Sequence, residues 1–152
     1  MNTAMLLKPK SMVAYIYGDL SAKEGLKEFI AHGFTAVPVI DREGMCLGVV
    51  SERDFLYRLL DAGSVEAADA NGHTVADLVS DTRFEAVTID ADMDILFNRI
   101  IEQNFVPVTD SRGMFSGIVT RKDVLMHMKH RLTDGINAVS YTHLTLPTIY
   151  SV

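Results

Sequence analysis

The sequence predicts an α+β fold made from two copies of one strand–helix–strand–strand–helix unit. Three observations carry that reading. Val37 to Leu56 returns as Val106 to Leu125 without a gap, so that Pro38 and Asp54 reappear as Pro107 and Asp123, each 69 residues further on. A repeat of this length is a duplicated structural unit. In each copy, apolar residues at helical spacing (Leu26, Phe29 and Ile30; Phe97, Ile100 and Ile101) precede the repeated block. Each block then holds two short apolar, partly β-branched runs split by a turn, Asp41-Arg42-Glu43-Gly44 in the first copy, which is the pattern of a hairpin. Two copies that cannot each close a core are expected to pack together, with a ligand cleft at the seam.

The elements follow in order. Met12 to Tyr17 is short and apolar and predicts a strand. Asp19 or Ser21 caps the helix that follows, and Gly33 after His32 supplies its left-handed stop. Strands are expected over Ala36–Ile40 and Met45–Val50, then a helix from Ser51 to about Leu60. Ala62 to Gly72 is small, polar and acidic, as a linker is. Val75–Val79 predicts a short helical turn. The second copy gives a strand over Glu85–Thr88, a helix over Asp92–Gln103, strands over Phe105–Thr109 and Met114–Val119, and a helix over Arg121–Arg131. The helical stripes match at an offset of 71 residues, so the second copy is two residues shorter before its proline, where Gly33-Phe34-Thr35-Ala36-Val37 faces Asn104-Phe105-Val106. The expected organisation is a first unit over 8–62, a linker over 63–73, a second unit over 74–132 and an extension over 133–139. Residues 140–152 contain no Asp, Glu, Lys or Arg and resemble an adaptor or cloning read-through, so they stand outside the fold argument.

Composition bounds the function. The chain is 48% hydrophobic and 22% charged, with a formal net charge of −6. That balance argues against a broad nucleic-acid surface, which needs a basic excess. A single cysteine, Cys46, cannot form an intrachain disulfide and favours a cytoplasmic setting. No apolar run approaches the roughly 18 residues of a membrane span, and the N-terminus lacks the apolar core and cleavage site of a signal peptide.

The chemistry-bearing pattern is Gly, two apolar residues, Ser or Thr, two variable residues, Asp. It occurs as Gly48-Val49-Val50-Ser51-Glu52-Arg53-Asp54 and as Gly117-Ile118-Val119-Thr120-Arg121-Lys122-Asp123. A strand ends at the hydroxyl residue and a helix begins there. Taken singly, each copy is an ordinary capping box. The same geometry also suits a ligand. The helix start offers N–H groups and partial positive charge to a phosphate, and the hydroxyl can donate to it. The Asp carboxylate can accept from two vicinal ribose hydroxyls. Arg53, Arg121 and Lys122 add positive charge beside the two helix starts.

On these marks, together with Ala36-Val37-Pro38-Val39-Ile40-Asp41 and Phe105-Val106-Pro107-Val108-Thr109-Asp110, the repeat resembles a tandem pair of CBS domains, a Bateman module, over about Met12–Arg131. The resemblance implies two units packed through their sheets with pseudo-two-fold symmetry, in a free-standing bacterial protein that forms a homodimer. It implies a regulatory ligand containing adenosine (AMP, ADP, ATP, S-adenosylmethionine or cyclic di-AMP) and no required cofactor. Carried over by position, Asp54 and Asp123 match the ribose-binding acid, and Ser51 and Thr120 the phosphate-side hydroxyl. Val13-Ala14, Thr35-Ala36-Val37 and Val106 fall where the adenine is gripped. The shortening near Asn104 removes a counterpart to Thr35-Ala36, so the two sites are expected to be unequal. Thr35-Ala36 with Thr120-Arg121-Lys122 also resembles the free-standing pairs that bind cyclic di-AMP, which makes that ligand the second choice.

Other patterns lead elsewhere. His127 and His130 share a helix face, but no Cys or carboxylate set completes a metal site. Asp90, Asp92 and Asp94 lack the glycine and terminal Glu of a calcium loop. There is no Walker loop and no nucleophile elbow, and nothing supplies the base and nucleophile of an enzyme. The expected function is therefore a non-catalytic sensor that signals to a partner protein. A ligand-independent dimerisation module is the further alternative.

Overall fold

The computed structural model describes residues 1–79 and 84–142, with side chains up to Gly135. In chain order the elements are α1 (Thr3–Leu6), β1 (Lys8–Pro9), a single 3-10 turn (Lys10–Met12), β2 (Ile16–Tyr17), α2 (Ala22–His32), β3 (Ala36–Ile40), β4 (Cys46–Ser51) and α3 (Glu52–Ala62). There follow α4 (Val65–Ala70), α5 (Val75–Leu78), β5 (Val87–Thr88), α6 (Met93–Glu102), β6 (Phe105–Thr109), β7 (Phe115–Thr120) and α7 (Arg121–Thr142). One sheet has the order β2-β3-β4 and the other β1-β7-β6-β5. Both hairpins stand where the sequence sets them, and their registers coincide: Ala36 pairs with Ser51 as Phe105 pairs with Thr120.

The units interlock. The first core gathers Ile16, Phe29, Val37, Val39, Val50 and Phe55, and it is closed by Val75 and Leu78 of α5. The second gathers Val87, Leu96, Ile100, Val106, Val108, Val119 and Val124, and it is closed by Leu6 of α1. Each short helix thus precedes one unit and packs on the other. Thr3 Oγ1 donates to the Ala91 carbonyl at 3.3 Å. The chain entering α5 is held by Ala22 N–H to His73 O and Val75 N–H to Leu20 O, both 3.0 Å. Neither unit completes its own core, so the apolar burial that drives folding is shared between them.

Two glycines make the exchange possible. Gly117 has φ +151°, and a Cβ there would stand 2.1 Å from the Lys8 carbonyl oxygen, because β1 pairs directly across it. Gly48, its counterpart, has φ +137°, and a Cβ there would stand 2.5 Å from Val79 Cγ1. Both needs, a left-handed backbone and no side chain, are met only by glycine.

The pseudo-two-fold axis passes between the hairpin tips. Cys46 N–H donates to Gly113 O at 3.0 Å, and Phe115 N–H donates to Gly44 O at 2.9 Å. Asp41 and Asp110 hold their turns identically, each accepting from the N–H of Met45 or Met114. Tyr15 stands edge-on to both Tyr17 and Phe115 at this seam, and burial raises the pKa of its hydroxyl. Burial likewise pushes the Cys46 thiol up.

Several expectations need correction. The stretch read as a linker contains α4, whose Ala68 is completely buried and which packs on α2 and α3. Met12–Tyr17 is a strand only at Ile16–Tyr17, preceded by the 3-10 turn. Ile30 and Ile101 leave the apolar stripes and are 67% and 68% exposed. The buried face of α2 runs instead through Ala22, Gly25 and Phe29, and Ile30 is a step of about 100° beyond it. Helix α7 continues past Arg131 to Thr142, through the extension. The rest of the tail, 143–152, lies outside the described residues.

The two-residue shortening falls on a helix end rather than on the cleft. Glu52 N–H donates to Thr35 O and Arg121 N–H to Asn104 O, so Thr35 and Ala36 do have counterparts, Asn104 and Phe105. What the second copy lacks is the glycine stop. Helix α2 ends on Gly33 at φ +75°, whereas α6 ends on Gln103 in extended backbone.

Candidate functional site

The structure opens a cavity of about 330 Å³ between the units. Its walls are Met12, Val13 and Ala14 ahead of β2, Phe34 to Pro38 at the start of β3, and Lys8, Ile118 and Thr120 on the β1–β7 pair; Phe84, Asn104 and Phe105 complete it. The strand edge of the first unit therefore faces the helix start of the second. Among the expected ligand residues, Ala14, Thr35, Ala36, Val37 and Thr120 come together here.

The remaining expected residues are placed as follows. Val106 is completely buried in the second core, because β6 turns that side chain away from the seam. Ser51 is buried, and Asp54 borders a separate acidic hollow with Tyr57, Arg58, Asp61 and Leu78. Arg53 donates to the Tyr57 hydroxyl at 3.1 Å and lies over its ring, 4.9 Å from the centroid, so it is engaged along its own helix. Arg121 and Lys122 line a shallow hollow with Asn104, Thr120, Leu125 and Met126.

Arg121 has a structural task there. Its Nε donates to Ile100 O at 2.9 Å, one Nη to Ile101 O at 3.1 Å and the other to Asn104 Oδ1 at 3.0 Å. It caps the carbonyls of α6 that a glycine stop would otherwise help satisfy, and its charge suits a helix C-terminus. Gln103, only 5% exposed, completes the repair. Its Nε2 donates to Glu85 O at 3.3 Å and Phe105 O at 3.2 Å, and its Oε1 accepts from Glu85 N–H at 3.2 Å.

The two helix starts differ in how their acids are used. In the first, Asp54 Oδ2 accepts from Ser51 N–H at 2.8 Å and from Ser51 Oγ at 2.9 Å, a closed capping box. In the second, Thr120 Oγ1 accepts from Asp123 N–H at 3.0 Å, and the Asp123 carboxylate makes no hydrogen bond among the described residues. Asp123 is half-buried beside the Thr120 that lines the cavity. The Ala14 backbone N–H and C=O are also unbonded among the described residues. The cavity thus offers Thr120, the Ala14 backbone and Lys8 between apolar walls, and Asp123 stands one helical turn from Thr120 with its carboxylate open.

Sequence reasoning missed Lys8, Phe84 and Phe105. Lys8 reaches the site by pairing with Ile118 across the whole chain, and no local pattern signals that. Phe105 could have been found by setting the copies side by side, since it stands where the first has Ala36.

Comparison with known proteins decides the family. The CBS domain model matches residues 9–61 and 75–130. The chain belongs to the CBS domain family and carries two such domains. Inosine-5'-monophosphate dehydrogenase of Nitrosopumilus maritimus is 30% identical over 112 residues, covering 72% of this chain and 21% of that protein. The chain thus spans about a fifth of the length of that relative and matches its CBS part. Among solved structures, CbpB in complex with c-di-AMP has a TM-score of 0.82 at 24% identity, covering 91% of each chain. CBSX2 in complex with AMP has a TM-score of 0.68 at 22% identity, covering 85% of this chain and 96% of that one. At these identities the likeness establishes the fold: two CBS units and two sheets in the arrangement of a Bateman module. Among the described residues no group of three or more His, Cys, Asp or Glu could hold a metal ion, and no helix is long and apolar enough to cross a membrane.

Proposed function

We propose that the protein is a non-catalytic regulatory module of the cytoplasm. It binds an adenosine-containing nucleotide, of the AMP, ADP or ATP class, between its two CBS units and signals to a partner protein. The cavity shared by the units carries this reading. Its volume of about 330 Å³ falls within the roughly 300–1,000 Å³ of small-molecule sites. Val13, Ala36 and Ile118 supply flat apolar walls for a purine, and the open Ala14 backbone can read its edge. The Asp123 carboxylate suits a ribose diol. Thr120 at the helix start and Lys8 suit a phosphate.

Cyclic di-AMP is the second reading, favoured by the likeness to CbpB, which was solved with c-di-AMP. Lys122 remains available for a second phosphate, whereas Arg121 is committed to α6.

The signal requires two arrangements with different ligand affinity, and that difference bounds its size. The outer helices support a homodimer as the responding assembly. Ile30 and Leu56 of the first unit, and Ile101 and Leu125 of the second, are matched exposed apolar residues on α2, α3, α6 and α7.

A thermal-shift series with AMP, ADP, ATP and cyclic di-AMP tests the proposal. A ligand at about 100 times its dissociation constant adds about 2.7 kcal/mol. A selective shift supports a sensor and names its ligand; the absence of any shift favours the ligand-independent dimerisation module. Light scattering of Leu56→Glu and Leu125→Glu tests the dimer, which both are expected to dissociate.

A further inference from the structure

Resting on that reading, we infer that the second, pseudo-equivalent cleft is filled by the protein's own side chains, a Phe84–Phe105 plug with Gln103 behind it, so that each chain binds one ligand. The argument compares positions that the symmetry makes equivalent. By strand register, Ala36 of the first unit corresponds to Phe105 of the second. Ile16 corresponds to Val87 in the same way, which sets Val13 against Phe84 and Ala14 against Glu85.

Each pair differs in the same direction. Where the first cleft has the methyl group of Ala36 and the short side chain of Val13, the second has two phenyl rings. They stack on each other with centroids 5.3 Å apart and planes at 30°. A purine entering there would have to displace an aromatic pair whose mutual contact is itself favourable. Where the first cleft leaves the Ala14 N–H and C=O open, the second has both Glu85 groups bound by the Gln103 amide. The acid on that side, Asp54, is bound to Ser51. Ring space, backbone edge and carboxylate, three separate ligand-reading features, are all occupied on one side of the axis and available on the other.

The plug also shapes the working site. Phe84 and Phe105 line the open cavity as well, and on this inference the stacked pair is the wall between the two clefts. A substitution that shrinks the plug therefore opens the second cleft without removing any polar group of the first.

Calorimetric titration of the full chain with ATP and with cyclic di-AMP tests this through stoichiometry. The expected result is one ligand per chain for the wild type and two for Phe105→Ala, with the second event lost again in Phe105→Ala/Asp54→Ala. Phe84→Val, which installs the residue of the first copy, provides the same test with a smaller packing change. In the converse variant, Ala36→Phe, the first cleft receives the ring that fills the second, and binding is expected to fall at least tenfold. Two ligands per chain in the wild type would overturn the plug and leave the nucleotide reading standing. One ligand per chain in both Phe105→Ala and Phe84→Val would also overturn it. No binding of either ligand to the wild type would overturn both.

Discussion

The first and second units share a hairpin, a register and a helix-start motif, yet they finish differently. Helix α2 stops on a left-handed glycine and leaves Phe34 in solvent, while α6 stops without one and recruits Arg121 and Gln103. In the first unit, the motif's acid closes on its own serine; in the second, it stays open beside a cavity. Duplication thus provides two equivalent frames, and small differences at the helix ends and strand starts leave the acid and backbone edge open in one and engaged in the other.

The largest effect should come from the glycines that admit the exchanged segments. Gly117→Ala drives a Cβ into the Lys8 carbonyl at a backbone angle that side chains avoid, and it should cost more than about 3 kcal/mol. Gly48→Ala meets only the Val79 side chain, which can shift, and should cost less. Denaturant melts of the two variants rank them; equal losses would mean that β1 pairing is no tighter than the contact with Val79.

Next come the two helix ends. Gln103→Ala leaves the Glu85 N–H and C=O and the Phe105 C=O without their partner and should cost about 2–3 kcal/mol. Arg121→Ala should cost about 1–2 kcal/mol through the α6 carbonyls. Phe34→Ala in the other unit, at an exposed position, should stay within about 0.5 kcal/mol. A Phe34→Ala loss as large as that of Gln103→Ala would erase the contrast between the ends.

The smallest effect concerns acid. The short helices α1 and α5 are counterparts, but α1 is capped by Asn2 and α5 by Thr74 with Asp77. The backbone N–H of Thr74, above all, holds the Asp77 carboxyl below the usual carboxylate range. A depressed carboxyl contributes stability above its unfolded pKa, near 3.9, and that stability disappears as pH falls through the lower folded value. Acid should therefore loosen α5 from the first unit before it affects α1. Asp77→Asn should flatten the pH dependence below about pH 4, as read by hydrogen exchange of α5 amides.

Much of this was legible in the sequence, for a physical reason. The hairpins, the helix start at Ser51 and the stop at Gly33 are local devices, set by residues a few positions apart, and they stand as expected. Ala14, Thr35, Ala36, Val37 and Thr120 are legible as a set only through the resemblance to CBS pairs, because the cavity joins strands from different copies. The helical turn at Val75 is legible, but the exchange of α1 and α5 between the units is not, since the burial of Leu6 or Val75 depends on a partner surface distant in sequence. The structural task of Arg121 is not legible for a related reason: a cation at a helix start looks free until the neighbouring helix end beside it is known. The place of the shortening is not legible in the sequence, because strand register, not sequence alignment, decides which residues correspond.

The most direct test of the unequal acids sets Asp54→Ala beside Asp123→Ala, measuring melting temperature and nucleotide affinity on the same samples with ATP and cyclic di-AMP. Asp123→Ala is predicted to lose at least tenfold in affinity with little change in stability. Asp54→Ala is predicted to keep its affinity and to lose about 1 kcal/mol with its capping box, a drop of about 2–4 °C for a chain of this size. Affinity lost in Asp54→Ala and kept in Asp123→Ala would contradict the assignment of the working cleft to the second helix start.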